Sequence, residues 1–402
     1  MTRIMVVAAA RPNFMKVAPV LRALERRGVE VVLVHTGQHH DEQMSGTFFD
    51  ELDIRPPDHH LHCGGGSHAV QTANVMVAFE PLLEQIRPYA LVVCGDVNST
   101  LACALVAAKA GVPIAHVESG LRSRDRSMPE EVNRIAVDHL SDWLLTPSED
   151  ADANLAAEGL DGARVWQVGN VMVDTLLHNL RRSTQSDILE RLGIPEGGHA
   201  LWTMHRPSNV DDRFVLADLV SVAIEISRSR PVVFPVHPRT GYNLTDCDLM
   251  AQLEEAPGII LTRPLGYLDF LRLQATAAVV MTDSGGVQEE TTVLGVPCLT
   301  LRHSTERPIT VTHGTNRVVG TDPATILTAY EDVDTRREPR LPAGWDGMAA
   351  DRIAAVLTTV APPLAAQRGL GTVVPMQPDR ESAEAAILRE ARHDSADIEA
   401  TA

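Results

Sequence analysis

The chain has 402 residues, 44% hydrophobic and 22% charged, which is enough to bury a large core and long enough for two or more domains. Its formal charge of -18 excludes nucleic acid as a general partner, because no basic stripe exists to neutralise phosphates over a broad surface, so any phosphate site must be local. Five cysteines (Cys63, Cys94, Cys103, Cys247, Cys298), odd in number and without a Cys-x-x-Cys spacing, read as buried thiols of a reducing compartment rather than disulfides.

The first apolar run, Ile4 to Ala10, is too short to span a membrane and is cut by Arg11-Pro12, so it reads as a strand rather than a signal peptide; a cytoplasmic protein without a membrane partner is expected. Apolar β-rich runs then alternate with helical patterns: Arg3 to Ala8 then Phe14 to Arg27, Glu30 to His35, Ala90 to Cys94 then Ser99 to Ala110, Pro113 to Val117, and Trp143 to Thr146. The second half repeats this: Ala200 to Met204 then Asp212 to Ser229, Pro231 to Val236, Ile259 to Leu261, Ala278 to Thr282 then Val287 to Leu294, and Pro297 to Leu301. Strands buried on both faces and separated by helices are βαβ units, so the expected fold class is α/β, with two Rossmann-like parallel-sheet domains facing a central cleft. The expected boundaries are 1–170, 171–362 and a tail, 363–402, rich in Ala, Pro and charge and expected to be largely disordered.

Polar residues cluster at the carboxyl ends of these strands, where open α/β sheets bind ligands: Asp96, Glu118, His205, His237 and Asp283-Ser284. Asp96, Asn98 and Ser99 could instead merely start a helix. Gln38, His39 and His40 also follow a strand, and Arg11 and Lys16 flank the first turn within reach of anionic groups. That turn lacks the glycines of a dinucleotide fingerprint, and no Gly-x-x-x-x-Gly-Lys-Ser/Thr loop occurs, so neither a nicotinamide cofactor nor a P-loop is expected. Asp58-His59-His60-Leu61-His62-Cys63 resembles a metal cluster, but its order matches no standard zinc spacing; an exposed loop is the preferred reading and no metal is expected.

The most informative segment is Thr282-Asp283-Ser284-Gly285-Gly286-Val287-Gln288-Glu289-Glu290, an apolar strand ending in a Ser-Gly-Gly turn that opens into a helix with acids expected in its first turn. Free N–H groups at such a helix start suit a phosphate, and the acids suit neutral hydroxyls, so a nucleotide sugar fits better than an inorganic anion. The competing reading is that the acids only complement the helix dipole, worth about 0.3–1 kcal/mol each. Glu130-Glu131 after Pro129 carry the same alternative.

Together with Arg11-Pro12-x-x-x-Lys16, Thr36-Gly37-Gln38-His39, Gly95-Asp96, His116-Val117-Glu118-Ser119-Gly120-Leu121-Arg122, Pro129-Glu130-Glu131-x-Asn133-Arg134, Val168-Gly169-Asn170, His205-Arg206, Pro235-Val236-His237-Pro238 and Thr305-Glu306-Arg307-Pro308, this segment closely resembles the non-hydrolysing UDP-N-acetylglucosamine 2-epimerases, over about residues 1 to 360. The resemblance implies a glycosyltransferase-B-type fold with a last helix crossing back onto the first domain, and a homodimer. It also implies elimination of UDP across C1–C2 to a 2-acetamidoglucal and re-addition on the other face, with no metal or redox cofactor. By matching motif, Asp96, Glu118 and Glu130 are implicated in proton transfer and His205 beside the departing phosphate. Arg11 and Lys16 lie near the ligand, Ser284, Gly285 and Gly286 hold the diphosphate, Glu290 binds ribose hydroxyls, and Phe270 lies against uracil, although a core aromatic is the alternative for Phe270. His237 and Arg307 complete the substrate-binding set. The chain departs from the family at Asn13, at Pro207-Ser208, and at Val70, which stands before Gln71 where members activated by a second substrate molecule carry arginine. Val cannot pair with a diphosphate, so weak or absent substrate cooperativity is expected.

Overall fold

The structure is a computed structural model and describes residues 3–9, 11–37, 52–160, 162–334 and 340–360. Thirteen strands are present among them: β1 (Arg3–Ala8), β2 (Glu30–His35), β3 (His59–His60), β4 (Ala90–Cys94), β5 (Ile114–Val117), β6 (Trp143–Thr146), β7 (Val165–Gln167), β8 (Ala200–Thr203), β9 (Val232–Pro235), β10 (Ile259–Thr262), β11 (Val279–Thr282), β12 (Cys298–Thr300) and β13 (Asn316–Val318). They form two all-parallel sheets, ordered β3-β2-β1-β4-β5-β6-β7 and β10-β9-β8-β11-β12-β13. Each order turns back on itself beside its first strand, at β1/β4 and at β8/β11, the crevice at which doubly wound sheets receive ligands.

Burial explains why these runs are strands. All five residues of β4 are buried and flanked by helices, so an unbroken run of Val, Leu and Ala suits both faces. Each such Val or Leu side chain contributes about 1.5–3 kcal/mol. Helix Asn98–Ala110 follows and stops at Gly111, whose φ of 74° supplies the left-handed cap that a side chain would disfavour.

The chain divides into two compact units. The first contains the described residues up to Thr175 together with those from Ala343 on, and the second runs from Leu176 to Pro342. Within the first unit, helix Ala349–Thr359 packs against helix Arg11–Arg26. Arg26 reaches Asp351 at 2.5 Å, Trp345 Nε1 donates to the Pro147 carbonyl at 3.0 Å, and Arg352 donates to the Val168 carbonyl at 3.1 Å. The Asp174 carboxylate accepts the Ala349 and Ala350 N–H groups at 3.2 and 2.8 Å, capping the returning helix. Burial pushes that carboxyl up to about 7, against the two N–H bonds that favour its charge. Gln38, His39, His40 and the tail from Pro363 lie outside the described residues. No helix among the described residues is long and apolar enough to cross a membrane.

Candidate active site

In the first unit the tips of β4 and β5, adjacent strands, carry Asp96 and Glu118. Glu118 has φ +70°, a left-handed conformation that costs a non-glycine residue about 1–2 kcal/mol. Its N–H and that of Ser119 donate to the Leu145 carbonyl at 3.1 and 3.3 Å, which holds the turn. The strained backbone aims a buried carboxylate at buried Lys16, which forms an ion pair with it. Gly95 lies against that pair: a Cβ there would stand 2.9 Å from Lys16 Nζ and 3.1 Å from Glu118 Oε2, and φ is +64°. A side chain is thus disfavoured by conformation and would displace the Lys16–Glu118 pair.

Asp96 is half-buried and ion-paired with Arg134, which also reaches Glu131 at 2.7 Å. Asp96 is no helix cap, since Val97 occupies that position without a side-chain bond. Asn133 donates to the Asp96 carbonyl at 2.8 Å. Helix Pro129–Leu140 has Pro129 at its start and both Glu130 and Glu131 in its first turn, yet the two acids differ. Glu131 is buried and accepts the N–H groups of Ser123 and Arg124 at 2.9 and 2.8 Å; burial opposes its charge, but these bonds and Arg134 outweigh it and hold the carboxyl below its ordinary range. Glu130 is half-buried. Glu131 is therefore a scaffold acid, and Glu130 the more accessible. The side chain of Arg11 lies outside the described residues, although its backbone opens helix Arg11–Arg26.

In the second unit Asp283 sits fully buried at the tip of β11 and organises the tip of β8. It accepts the N–H groups of His205 (3.0 Å) and Arg206 (2.9 Å) and the Asn209 amide (3.2 Å), and its Oδ1 lies 3.2 Å from His205 Nδ1. Burial opposes its ionisation, but the bonds to His205 and Arg206 hold it below the ordinary carboxylate range. The imidazole is thereby turned to present Nε2 outward. Its ring lies 5.6 Å from that of His237, an exposed residue whose Nδ1 accepts from Arg239 N at 3.2 Å at the start of helix Pro238–Asp246.

Helix Gly285–Leu294 begins two residues earlier than expected, because Gly285 and Gly286 enter it instead of forming a turn ahead of it. Glu289 and Glu290 consequently fall in the second turn, not the first, and the dipole reading of these acids is corrected. Ser284 is the cap residue but makes no side-chain cap bond, leaving the helix start with N–H groups for an anion. Arg307, Arg302 and Arg206 surround buried Glu306 at 2.9, 2.7 and 3.4 Å, and Arg307 also meets Glu289 at 2.8 Å. Burial opposes the charge of Glu306, yet the three guanidiniums drive its carboxyl far down. Three cations against two acids leave a net positive cluster beside Gly285, where a Cβ would come within 2.6 Å of Arg307 Nη1. Glu290 is buried and accepts from the Tyr267 hydroxyl at 3.1 Å; burial pushes its carboxyl up to about 7, although Tyr267 and Gln274 hydrogen-bond to it. Phe270, on helix Tyr267–Ala275, is half-buried and packs on the apolar cluster around Val233, Val280 and Val287.

The metal-like run departs from a flat strand after His60: His62 has φ +52°, and its ring stacks on that of His60 at 3.8 Å. Among the described residues no group of three His, Cys, Asp or Glu could hold a metal ion. Sequence reasoning missed Arg134, Tyr267 and Arg302 and left Asp283 and Glu306 without a task. The three-residue spacing of Glu131 and Arg134 and the four-residue spacing of Arg302 and Glu306 were the local signs of these partnerships.

Two doubly wound parallel sheets with polar groups at their switch points define an enzyme of the glycosyltransferase-B-like α/β class. The UDP-N-acetylglucosamine 2-epimerase family pattern matches residues 22–358, and the chain belongs to that family of isomerases. A UDP-N-acetylglucosamine 2-epimerase of Methanocaldococcus jannaschii is 38% identical over 362 residues, 89% of this chain and 99% of that protein. Its crystal structure with UDP-GlcNAc and UDP superposes with a TM-score of 0.84 over the same shares. A UDP-2,3-diacetamido-2,3-dideoxy-D-glucuronate 2-epimerase of Pseudomonas aeruginosa is 40% identical over 323 residues, 79% of this chain and 88% of that protein.

Proposed function

We propose that this chain interconverts UDP-N-acetylglucosamine and UDP-N-acetylmannosamine without net hydrolysis. A carboxylate removes the C2 proton, the C–H electron pair becomes the C1=C2 bond of a 2-acetamidoglucal, and the C1–O bond breaks with its pair leaving on UDP. UDP then re-adds at C1 while a proton reaches C2 from the opposite face. The balance requires no oxidant or reductant. Asp96, Glu118 and Glu130 are the proton-transfer groups in this reading, with Lys16 on Glu118 and Arg11 assigned to the ligand. His205 and Arg307, with the Ser284 hydroxyl and the N–H groups of Gly285 and Gly286, take the charge that develops on the diphosphate. Glu290 holds ribose hydroxyls, Phe270 faces uracil, and His237 borders the phosphates.

The observation that carries this is the pair of carboxylates at adjacent strand tips, Glu118 on Lys16 and Asp96 on Arg134. Binding a nucleotide sugar gives no reason for two acids at adjacent strand tips, each paired with its own cation; moving a proton does. The test is proton NMR of UDP-N-acetylglucosamine with the protein in deuterated water. Loss of the C2 proton with growth of the manno isomer is expected, and accumulation of free sugar and UDP would instead mark a hydrolysing enzyme. The Pseudomonas relative favours a second reading, in which the substrate is another 2-acetamido UDP-sugar. Turnover of the diacetamido uronate, with UDP-N-acetylglucosamine untouched, would establish it.

The enzyme is further proposed to act in the cytoplasm, where its five free thiols stay reduced, and as a homodimer. Val70 and Val77, 50% and 73% exposed on helix His68–Ile86, are apolar surface that pairing would cover.

A further inference from the structure

Behind the two carboxylates lies a buried polar unit with no direct place in the chemistry above. Asp138, fully buried on helix Pro129–Leu140, faces His116 on β5: Oδ1 lies 2.6 Å from His116 Nδ1. Its other oxygen meets Arg122 at 2.8 Å and accepts the Gly120 N–H at 3.1 Å. Arg122 is held in turn by Glu158 at 2.7 Å. On the far side of the ring, His116 Nε2 stands 2.9 Å from the Gly95 carbonyl oxygen. A carbonyl oxygen only accepts, so Nε2 is the donor to Gly95, and Nδ1 is the nitrogen that Asp138 holds.

The unit therefore grips both turns of the site at once. The His116 bond fixes the peptide plane between Gly95 and Asp96, and the Asp138 bond fixes the backbone two residues after Glu118. On the other side of Gly95 lies the Lys16–Glu118 pair, so the turn that His116 holds is the one that borders both acids.

We propose that His116 and Asp138 are positioning residues of the epimerase site: the bond from His116 to the Gly95 carbonyl sets the aim of Asp96, and Asp138 locks the ring that makes it. This rests on the proposed epimerase reading. The residues touch no substrate; they act through the two turns.

Two substitutions separate the two bonds. In His116→Gln the amide nitrogen falls near the position of Nε2 and can still donate to Gly95, whereas in His116→Asn it falls near Nδ1 and can donate only to Asp138. For the full-length protein we expect His116→Asn to lose turnover number on the order of 10²-fold, as small misplacements of reacting groups do, with KM and UDP affinity within about twofold of wild type. His116→Gln should recover at least tenfold of that loss. Equal losses in both variants, losses that follow a fall in melting temperature, or no loss would overturn the proposal. Should a variant fail to fold, nitrogen-15 histidine spectra of the wild-type protein decide. A ring whose Nε2–H signal is protected from solvent exchange and shows coupling across the bond to the Gly95 carbonyl sustains it, and the lack of any such ring refutes it. Wild-type protein that binds UDP but leaves C2 of every 2-acetamido UDP-sugar untouched would defeat the epimerase reading instead.

Discussion

Asp96 and Glu118 differ in what holds them, and the difference predicts how each responds to substitution. Asp96 is half-buried against Arg134, so Asp96→Asn removes a charge that solvent partly reaches and keeps the shape. Turnover should fall about 10²-fold or more if it transfers a proton, and Glu130→Gln should do the same, while UDP affinity stays near wild type in calorimetry. Rates near wild type in both variants would move the chemistry elsewhere. Glu290 predicts a pH effect. Its carboxyl is raised from 4.5 in the unfolded chain to about 7 in the fold. Between those values the unfolded chain has released a proton that the folded one keeps, so rising pH favours unfolding across that window and stability is lost as pH passes about 7. Glu290→Gln should flatten the fall in melting temperature between pH 5 and 8, and should weaken UDP binding if the carboxylate holds ribose. At this scale the sequence announced Asp96, Glu118 and His205 because each follows an apolar strand. It was silent about Arg134 against Asp96 and Tyr267 against Glu290, partners set by tertiary contact rather than by a local pattern.

Helix Gly285–Leu294 shows what a whole element contributes. Its first residue lies so close to Arg307 and Glu306 that a methyl group has no room, and the arginine cannot retreat without leaving Glu306 and Glu289. Gly285→Ala should therefore displace Arg307 and weaken UDP binding at least tenfold, measured by calorimetry, with little effect on the far-ultraviolet spectrum. Unchanged affinity would remove this helix start from the diphosphate site. Strands such as β4 and β5 could be read from the sequence as β-branched apolar runs with polar ends. β3, β7 and β13 could not, since His59-His60, Gln167 and Asn316-Arg317 break any apolar run, which Cys298–Thr300 in β12 keeps. The start of helix Gly285–Leu294 was misread because a Gly-Gly pair signals a turn locally, while here it is the packing against Arg307 that demands glycine.

For the molecule as a whole, the departure at Val70 has a kinetic consequence. Val70 is half exposed on its helix, and its neighbour Gln71 is occupied accepting from Asn98 at 2.7 Å. Neither offers a second diphosphate a cation, so velocity should rise hyperbolically with substrate; a strongly sigmoidal curve would refute this. The alternation of strands and helices made two parallel sheets legible, but the bonds that tie the chain beyond Ala343 to Asp174, Pro147 and Val168 join residues more than 170 positions apart and leave no local mark. That return has a consequence during synthesis. Leu176–Pro342 is an uninterrupted stretch that can finish folding as it leaves the ribosome, whereas the unit begun first still lacks the helix that covers Arg11–Arg26. At about 5–20 residues per second the earlier-made half waits roughly ten to thirty seconds for its last piece. During that interval the face of helix Arg11–Arg26 that Ala349–Thr359 later covers stands bare to chaperone capture or mispairing.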